Sequence, residues 1–207
     1  MGLILGTGNL TRFMVNDPIP EDYIEVLAQG IARYAFRALD ESSLLERTAG
    51  WVNIMDMFDS EFAGMAYFKE PYVATSWRID ARKVPSKALK QHCLEEEKRI
   101  KTLEGVEYLP KSRRDEIREV VKGALLKRAI PVSRTYDMIW HLQKGTVIFG
   151  ATGSKICDDF AEFFLRCFGL HLEAVCPYRE ASRILQKDGV DPLVLDGLGY
   201  SMTGEGH

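Results

Sequence analysis

Three stretches of the sequence carry residue types that could do chemistry. Residues 111–128, "KSRRDEIREVVKGALLKR", hold seven Lys/Arg against three Asp/Glu, a density of positive charge that suits the phosphates of a nucleic acid. The acids Asp158, Asp159 and Glu162 lie close together in the sequence, as the metal ligands of a nuclease would. Residues 147–155, "VIFGATGSK", place a glycine-containing turn between a strand and a helix, where a phosphate could bind.

The two smaller signals also have simpler interpretations. Gly150 and Gly153 do not have the Walker A spacing, and acids in the first turns of a helix favour the helix dipole. The four histidines and four cysteines show no metal-ligand spacing. We therefore expect no metal, no cofactor and no catalytic residue. A metal-dependent nuclease, or a nuclease accessory, that uses Asp158, Asp159 and Glu162 remains an alternative.

The positive charge of 111–128 belongs to a larger basic segment. Residues 78–134 contain sixteen Lys/Arg and nine Asp/Glu, a net charge of +7, and the remainder of the chain carries −10. Such a separation of charge indicates a binding surface more than a need for solubility. The structural alternative is a pair of solvated helices whose charges form local ion pairs.

Helical periodicity sorts these charges onto defined faces. Around residue 117 the apolar positions are Ile117, Val120, Val121, Ala124 and Leu125, and the basic flank holds Lys111, Arg114, Arg118 and Lys122. In the preceding segment the apolar positions are Leu89, Cys93, Ile100 and Leu103, with Lys87, Lys90, Lys98 and Lys101 beside them. Because only "VEYLP" separates the two segments, they are predicted to form an antiparallel helical hairpin.

The flanking segments must position this hairpin. Strand-like stretches surround a helix that opens after Pro20, and a predicted β-hairpin at 137–151 precedes a helix that ends at Gly169. The fold class is α+β: two β-containing lobes with a protruding basic antiparallel helical hairpin. The predicted organisation is an N-terminal α/β lobe (1–84), the hairpin (85–130), a β-hairpin–helix–strand lobe (131–180) and a loosely attached tail (181–207).

The remaining composition excludes several classes of protein. No run of eighteen apolar residues exists to span a membrane, and the N-terminus lacks the basic region of a signal peptide. The cysteines are expected to be reduced thiols of a cytoplasmic protein. Trp51, Trp77 and Trp140 are expected in the core, not as platforms for stacked bases.

The segment 50–178 resembles the RdgC family of bacterial recombination-associated proteins. The resemblance is carried by "GWV" at 50–52, "IDARKVPSKALKQHCLEEEKRI" at 79–100 and "RDEIREVV" at 114–121. It continues through "LLKRAI" at 125–130, "DMIWHL" at 137–142, "TVIFGATGSKICDDF" at 146–160 and "LEAVCP" at 172–177. These segments are collinear with the family and cover well over half of the chain.

The resemblance implies a non-catalytic protein that binds duplex DNA without sequence preference. Members of the family form ring-shaped homodimers whose positively lined hole encircles DNA, and they restrain RecA-type recombinase activity. It also implies a nucleoid-associated location and a helical tip that joins two subunits. We expect this chain to be a shortened member that lacks the family's C-terminal third, so ring closure is not carried over. Lys127 and Ile130 stand where the family's "LLPRAF" has Pro and Phe.

The charge pattern and the resemblance together give one set of expected contacts. The expected DNA-binding residues are Arg82, Lys83, Lys87, Lys111, Arg114, Arg118, Lys122, Lys127 and Arg128. The expected dimer contacts are Tyr108, Leu109, Leu126 and Ile130. A third possibility is an interaction module whose hairpin meets another protein and never touches DNA.

Overall fold

The computed structural model describes residues 8–40 and 42–197, and it confirms the α+β class. The strands of this part of the chain are β1 (Thr11–Val15), β2 (Arg47–Val52), β3 (Phe68–Lys69), β4 (Tyr72–Ala81), β5 (Val132–His141), β6 (Thr146–Phe149) and β7 (Leu172–Ala174). Its α-helices are α1 (Tyr23–Arg33), α2 (Ser86–Glu104), α3 (Lys111–Arg128), α4 (Ser154–Phe168) and α5 (Pro177–Lys187).

All of these strands belong to one antiparallel sheet. Its order is β2-β4-β5-β6-β1-β7, with the short β3 paired to β4. Strands β4 and β5 pair along their whole length, from Tyr72 opposite His141 to Ala81 opposite Val132. The two segments that the sequence assigns to separate lobes, 1–84 and 131–180, therefore contribute strands to the same sheet.

An aromatic core lies between this sheet and the helices α1 and α4. The rings of Phe149 and Phe160 stack with their centroids 3.9 Å apart, and those of Trp77 and Phe163 stack at 5.2 Å. The three tryptophans are all buried, as the sequence predicts. Gly30 of α1 permits close helix packing, because a Cβ there would lie only 2.6 Å from the carbonyl oxygen of Cys167.

The helices begin and end close to their predicted positions. Helix α4 has the predicted buried phenylalanine face and ends before Gly169, whose φ of 69° suits a residue without a Cβ. Its first residue is Ser154, and no side-chain hydrogen bond caps its N-terminus. Helix α1 begins at Tyr23, one turn after Pro20.

The C-terminal segment is more ordered than predicted. Helix α5 crosses the expected boundary at residue 180, and a 3₁₀ segment follows at Pro192–Gly197. Tyr178 of α5 donates a hydrogen bond to Asp196 in that segment, at 2.6 Å. The predictions for the first seven residues, and for the tail after 197, lie outside the described residues. Within the described ranges no helix is long and apolar enough to cross a membrane.

Candidate nucleic-acid interface

The basic helices extend from the sheet at one pair of residues. Ala81 ends β4, Val132 begins β5, and the two are directly opposite each other in the sheet. The chain between them forms α2, a six-residue connection and α3, and the two helices pack chiefly against each other. The hairpin is therefore an excursion between two neighbouring strands.

The hairpin has a narrow apolar seam. Leu89 of α2, Ile117 of α3 and Leu109 of the connection are buried. Val120 was predicted on the apolar face, but 72% of it is exposed. The difference arises because α3 packs against one helix and a loop, so a narrower stripe suffices than on a core helix.

Seven of the nine predicted DNA contacts lie exposed on or beside this hairpin. They are Lys83, Lys87, Lys111, Arg114, Arg118, Lys127 and Arg128. Lys122 is partly buried, and its Nζ lies 2.6 Å from the carboxylate of Glu46, which raises the pKa of Lys122. This ion pair ties α3 to the segment before β2 and offsets part of the charge of Lys122.

Arg82 is a structural residue and not a surface contact. Only 5% of it is exposed. Its guanidinium donates hydrogen bonds to three backbone carbonyls, those of Leu39, Ser43 and Asp40, at 3.2, 3.2 and 2.8 Å. The expectation that Arg82 meets a phosphate is therefore not met by this structure, because the guanidinium is already bound inside the fold.

The cations of the hairpin divide into paired and unpaired ones. Arg99 is paired with Glu96, and Arg113 lies between Glu104 and Glu116, so nearby carboxylates raise the pKa of both guanidinium groups. Nine other hairpin cations have no ion pair within the part of the chain that the structure describes: Lys87, Lys90, Lys98, Lys101, Lys111, Arg114, Arg118, Lys127 and Arg128. Their charge is available to a ligand.

Arg118 of α3 lies near helix α2, and its position relates the basic residues of the two helices. It lies close enough to Cys93 of α2 to lower the pKa of that thiol, although burial, the larger effect, raises it. On a helical projection Cys93 lies between the buried Leu89 and the flank that holds Lys90, Lys98 and Lys101. Arg118 therefore lies on the same side of α2 as these lysines, and α2 and α3 present one mainly basic side, which also includes the acidic Glu97.

The expected DNA-binding residues do not include three lysines of α2, Lys90, Lys98 and Lys101. Their helical spacing on one flank of α2 is the feature of the sequence that could have identified them. At the far end of the hairpin the guanidinium of Arg114 lies 5.8 Å from the ring centroid of Tyr108, a cation–π distance. The basic side thus extends from the base of the hairpin to its connection.

The predicted dimer contacts do not come together. Tyr108 and Leu109 lie in the α2–α3 connection, whereas Leu126 and Ile130 lie at the other end of α3, about 27 Å away for an 18-residue helix. Leu109 and Leu126 are buried within the chain, and only Tyr108 (69% exposed) and Ile130 (85% exposed) face outward. Leu126 and Ile130, which are expected among the dimer contacts, lie at the base of the hairpin and not at its tip.

Two of the three acidic residues considered for metal binding are paired with arginines. Asp159 accepts a hydrogen bond from Arg47 at 2.9 Å, and Glu162 lies 3.9 Å from Arg166. Among residues 8–40 and 42–197, no group of three or more His, Cys, Asp or Glu side chains is placed to hold a metal ion.

A known family matches most of the chain. Residues 8–185 match the family described as "Putative exonuclease, RdgC". The chain belongs to the RdgC family. Membership in RdgC associates the chain with recombination, and the matched range includes the whole sheet and the hairpin. A search of the curated proteins found no match.

Proposed function

We propose that this RdgC-family protein binds duplex DNA through its basic hairpin, without sequence preference and without cleaving it. In this proposal it acts in recombination as a nucleoid-associated homodimer, and it modulates a RecA-type recombinase by occupying the duplex. The observation that carries the proposal is the set of nine cations on α2 and α3 that form no ion pair with a described residue, on a hairpin that extends from a remainder of net negative charge.

The chemistry of these side chains supports contacts to phosphate more than to bases. Lys and Arg on a convex helical surface can follow a phosphate backbone, and such contacts position a protein without carrying sequence information. Each neutralised phosphate releases counterions and contributes about −0.9 to the slope of log K against log salt. On the order of six contacts would lower the affinity about a thousandfold between 50 and 200 mM salt.

The first experiment removes three of the unpaired cations. The triple variant Lys111→Ala, Arg114→Ala, Arg118→Ala should weaken binding to every duplex sequence alike. Its salt slope should be shallower by about 2.7, or 0.9 for each lost contact. The measurement is fluorescence anisotropy of two unrelated labelled duplexes from 50 to 200 mM salt.

The matched control removes three positive charges from helices α4 and α5, outside the hairpin. Arg166, Arg179 and Arg183 are exposed and paired with Glu162, Glu173 and Glu180, so their triple alanine variant should leave the slope unchanged. An unchanged slope in the hairpin variant would contradict the proposal. If the wild-type protein does not bind DNA even at low salt, the hairpin faces a protein partner instead.

The family description names an exonuclease, so cleavage is tested directly. We expect an end-labelled duplex to stay intact when it is incubated with the protein and Mg²⁺ or Mn²⁺. Metal-dependent degradation that disappears in Asp159→Asn would overturn the non-catalytic assignment. The role in recombination is tested by strand exchange with a RecA-type recombinase, which the protein should slow in proportion to its occupancy of the duplex.

A further inference from the structure

The sheet has a stepped edge next to the base of the hairpin. Strand β6 pairs only with residues 138–141 of β5, so the first half of β5 has β4 on one side and no strand of the described chain on the other. The N–H of Gly150 donates to the carbonyl of Asp137, which shows that the backbone of Asp137 faces the β6 side. Since backbone groups alternate along a strand, those of Ser133 and Thr135 face the same side.

The backbone groups of this edge are free to pair. Within the described residues, no backbone group hydrogen-bonds the outward N–H or C=O of Ser133 or Thr135. Thr135 is exposed, so the described chain does not enclose this residue. An open strand edge of this kind is a template for an added strand.

The side chains around the edge define what would pair with it. Ile130 and Val132 are 85% and 63% exposed, which leaves an apolar surface at the start of the strand. Arg128 and Arg134 are also exposed, and neither forms an ion pair with a described residue. Because alternate side chains share one face, Val132 and Arg134 would meet partner residues two positions apart.

We propose that the β5 edge binds an extended segment of a partner protein that carries an acidic residue between two apolar ones at alternate positions. The segment would add as a strand beside Ser133–Tyr136, with its acidic side chain opposite Arg134 and an apolar one opposite Val132. A second copy of this chain fits less well, since antiparallel pairing of two β5 edges would bring together their arginines and their basic hairpins. A duplex offers Ile130 few apolar groups, chiefly thymine methyls in the major groove, and it offers no strand to the open backbone.

The test uses a synthetic peptide and a proline substitution. The probe is fluorophore-labelled acetyl-SVTETVS-amide, and its comparison peptide has lysine in place of glutamate. Thr135→Pro removes the outward N–H, which no described group uses, and proline is tolerated where a strand's N–H faces solvent. Wild type should bind the acidic probe, and Thr135→Pro should lose about tenfold in affinity, whereas Thr135→Val, which keeps the N–H, should change it less than about twofold.

Several outcomes would overturn the proposal. One is that Thr135→Pro binds the acidic probe as tightly as wild type does, and another is that wild type binds the lysine peptide as tightly as the acidic probe. A third is that Thr135→Pro no longer binds duplex DNA, which would make the edge part of the DNA interface. A mass in solution that halves in Thr135→Pro would show that a second copy occupies the edge. If Thr135→Pro also lowers the melting midpoint, the double variant Arg128→Glu, Arg134→Glu is tested in its place. An unchanged affinity of this double variant for the acidic probe would contradict the proposal.

The edge proposal and the DNA proposal fail separately. The triple variant Lys111→Ala, Arg114→Ala, Arg118→Ala should keep the affinity for the acidic peptide, since those residues lie toward the far end of the hairpin. Thr135→Pro should in turn keep the salt slope for duplex DNA.

Discussion

Arg78 and Asp80 show how a basic residue of this segment can serve the fold instead of a ligand. The guanidinium donates two hydrogen bonds to the carboxylate of Asp80, at 2.9 and 2.8 Å, and one to the carbonyl of Met57 at 2.9 Å. It also lies 4.2 Å from the ring centroid of Phe36. Asp80 is only 3% exposed, so this bidentate pair is largely desolvated. Removing one member would leave the other charged and unpaired.

We predict that Asp80→Asn lowers the free energy of unfolding at pH 7 by about 3 kcal/mol, the cost of breaking a buried ion pair. Burial alone would raise the pKa of Asp80, but hydrogen bonds from Arg78 and Ser133 and the charge of Arg78 bring it below its usual value. A depressed native pKa contributes stability above the unfolded-state pKa of about 3.9, and this contribution is lost as the pH falls through the native pKa. The difference in the free energy of unfolding between Asp80→Asn and wild type should therefore become smaller below about pH 4.

The measurement is urea unfolding of both proteins from pH 7 to pH 3. Asp115→Asn is the matched control, because Asp115 is exposed on α3 and forms no ion pair with a described residue, and its effect should be within about 0.5 kcal/mol. If the difference in the free energy of unfolding between the two proteins stays constant down to pH 3, the ionised Asp80–Arg78 pair is not the cause of the lost stability.

At the scale of elements, the hairpin and the sheet are joined by few interactions. Lys122 pairs with Glu46, and Gly123 lies beside Leu44, where a Cβ would be 3.3 Å from the leucine Cδ2. Because Ala81 and Val132 already lie opposite each other, a short turn could connect β4 to β5 directly. The sheet therefore should not need the hairpin in order to form.

We predict that replacing residues 84–130 with a short glycine-containing turn leaves a folded sheet that no longer binds DNA. The melting midpoint should stay within about 4 °C of wild type, the shift that corresponds to about 1 kcal/mol in a domain of this size. Circular dichroism gives the midpoint and the loss of helix, and anisotropy gives DNA binding. A protein that unfolds, or one that keeps salt-dependent binding, would be the contrary result.

The hairpin could be predicted from sequence, whereas the single sheet could not. Helical periodicity is local, so Leu89 and Ile117 already indicate which side of each helix is buried. The β4–β5 pairing joins residues 51 to 69 positions apart, and a single sequence contains no signal for it. The burial of Arg82 likewise depends on the carbonyls of residues 39–43, which reach it only in the folded chain. The exposed Val120 shows that an apolar residue on the predicted face need not have a neighbour.

At the scale of the whole molecule, the separation of charge orients the protein toward its proposed ligand. The segment 78–134 carries +7 and the remainder −10, so the field of the body repels a polyanion while the hairpin attracts it. This arrangement favours approach of DNA along the hairpin. In the proposed homodimer, Tyr108 joins two such hairpins, because it is the largest exposed side chain of an apolar group at the far end of the hairpin that also includes Leu103 and Val106.

We predict that Tyr108→Glu converts the homodimer to a monomer, because a carboxylate would replace an exposed aromatic ring at the contact. Ile130→Glu is the matched control, since it changes another exposed apolar residue, just beyond the base of α3, and should leave the dimer intact. The mass of each protein is measured by light scattering at several concentrations. Dissociation by Ile130→Glu but not by Tyr108→Glu would place the dimer contact at the base.

The position of the tryptophans makes the molecule a selective optical reporter. Trp51, Trp77 and Trp140 all lie in the sheet and are at most 2% exposed, and the hairpin contains none. Their emission therefore follows the integrity of the sheet and is insensitive to events on α2 and α3. A titration with DNA should leave the emission maximum in place, while a denaturant titration shifts it to the red. The same untagged sample can thus separate binding at the hairpin from opening of the core.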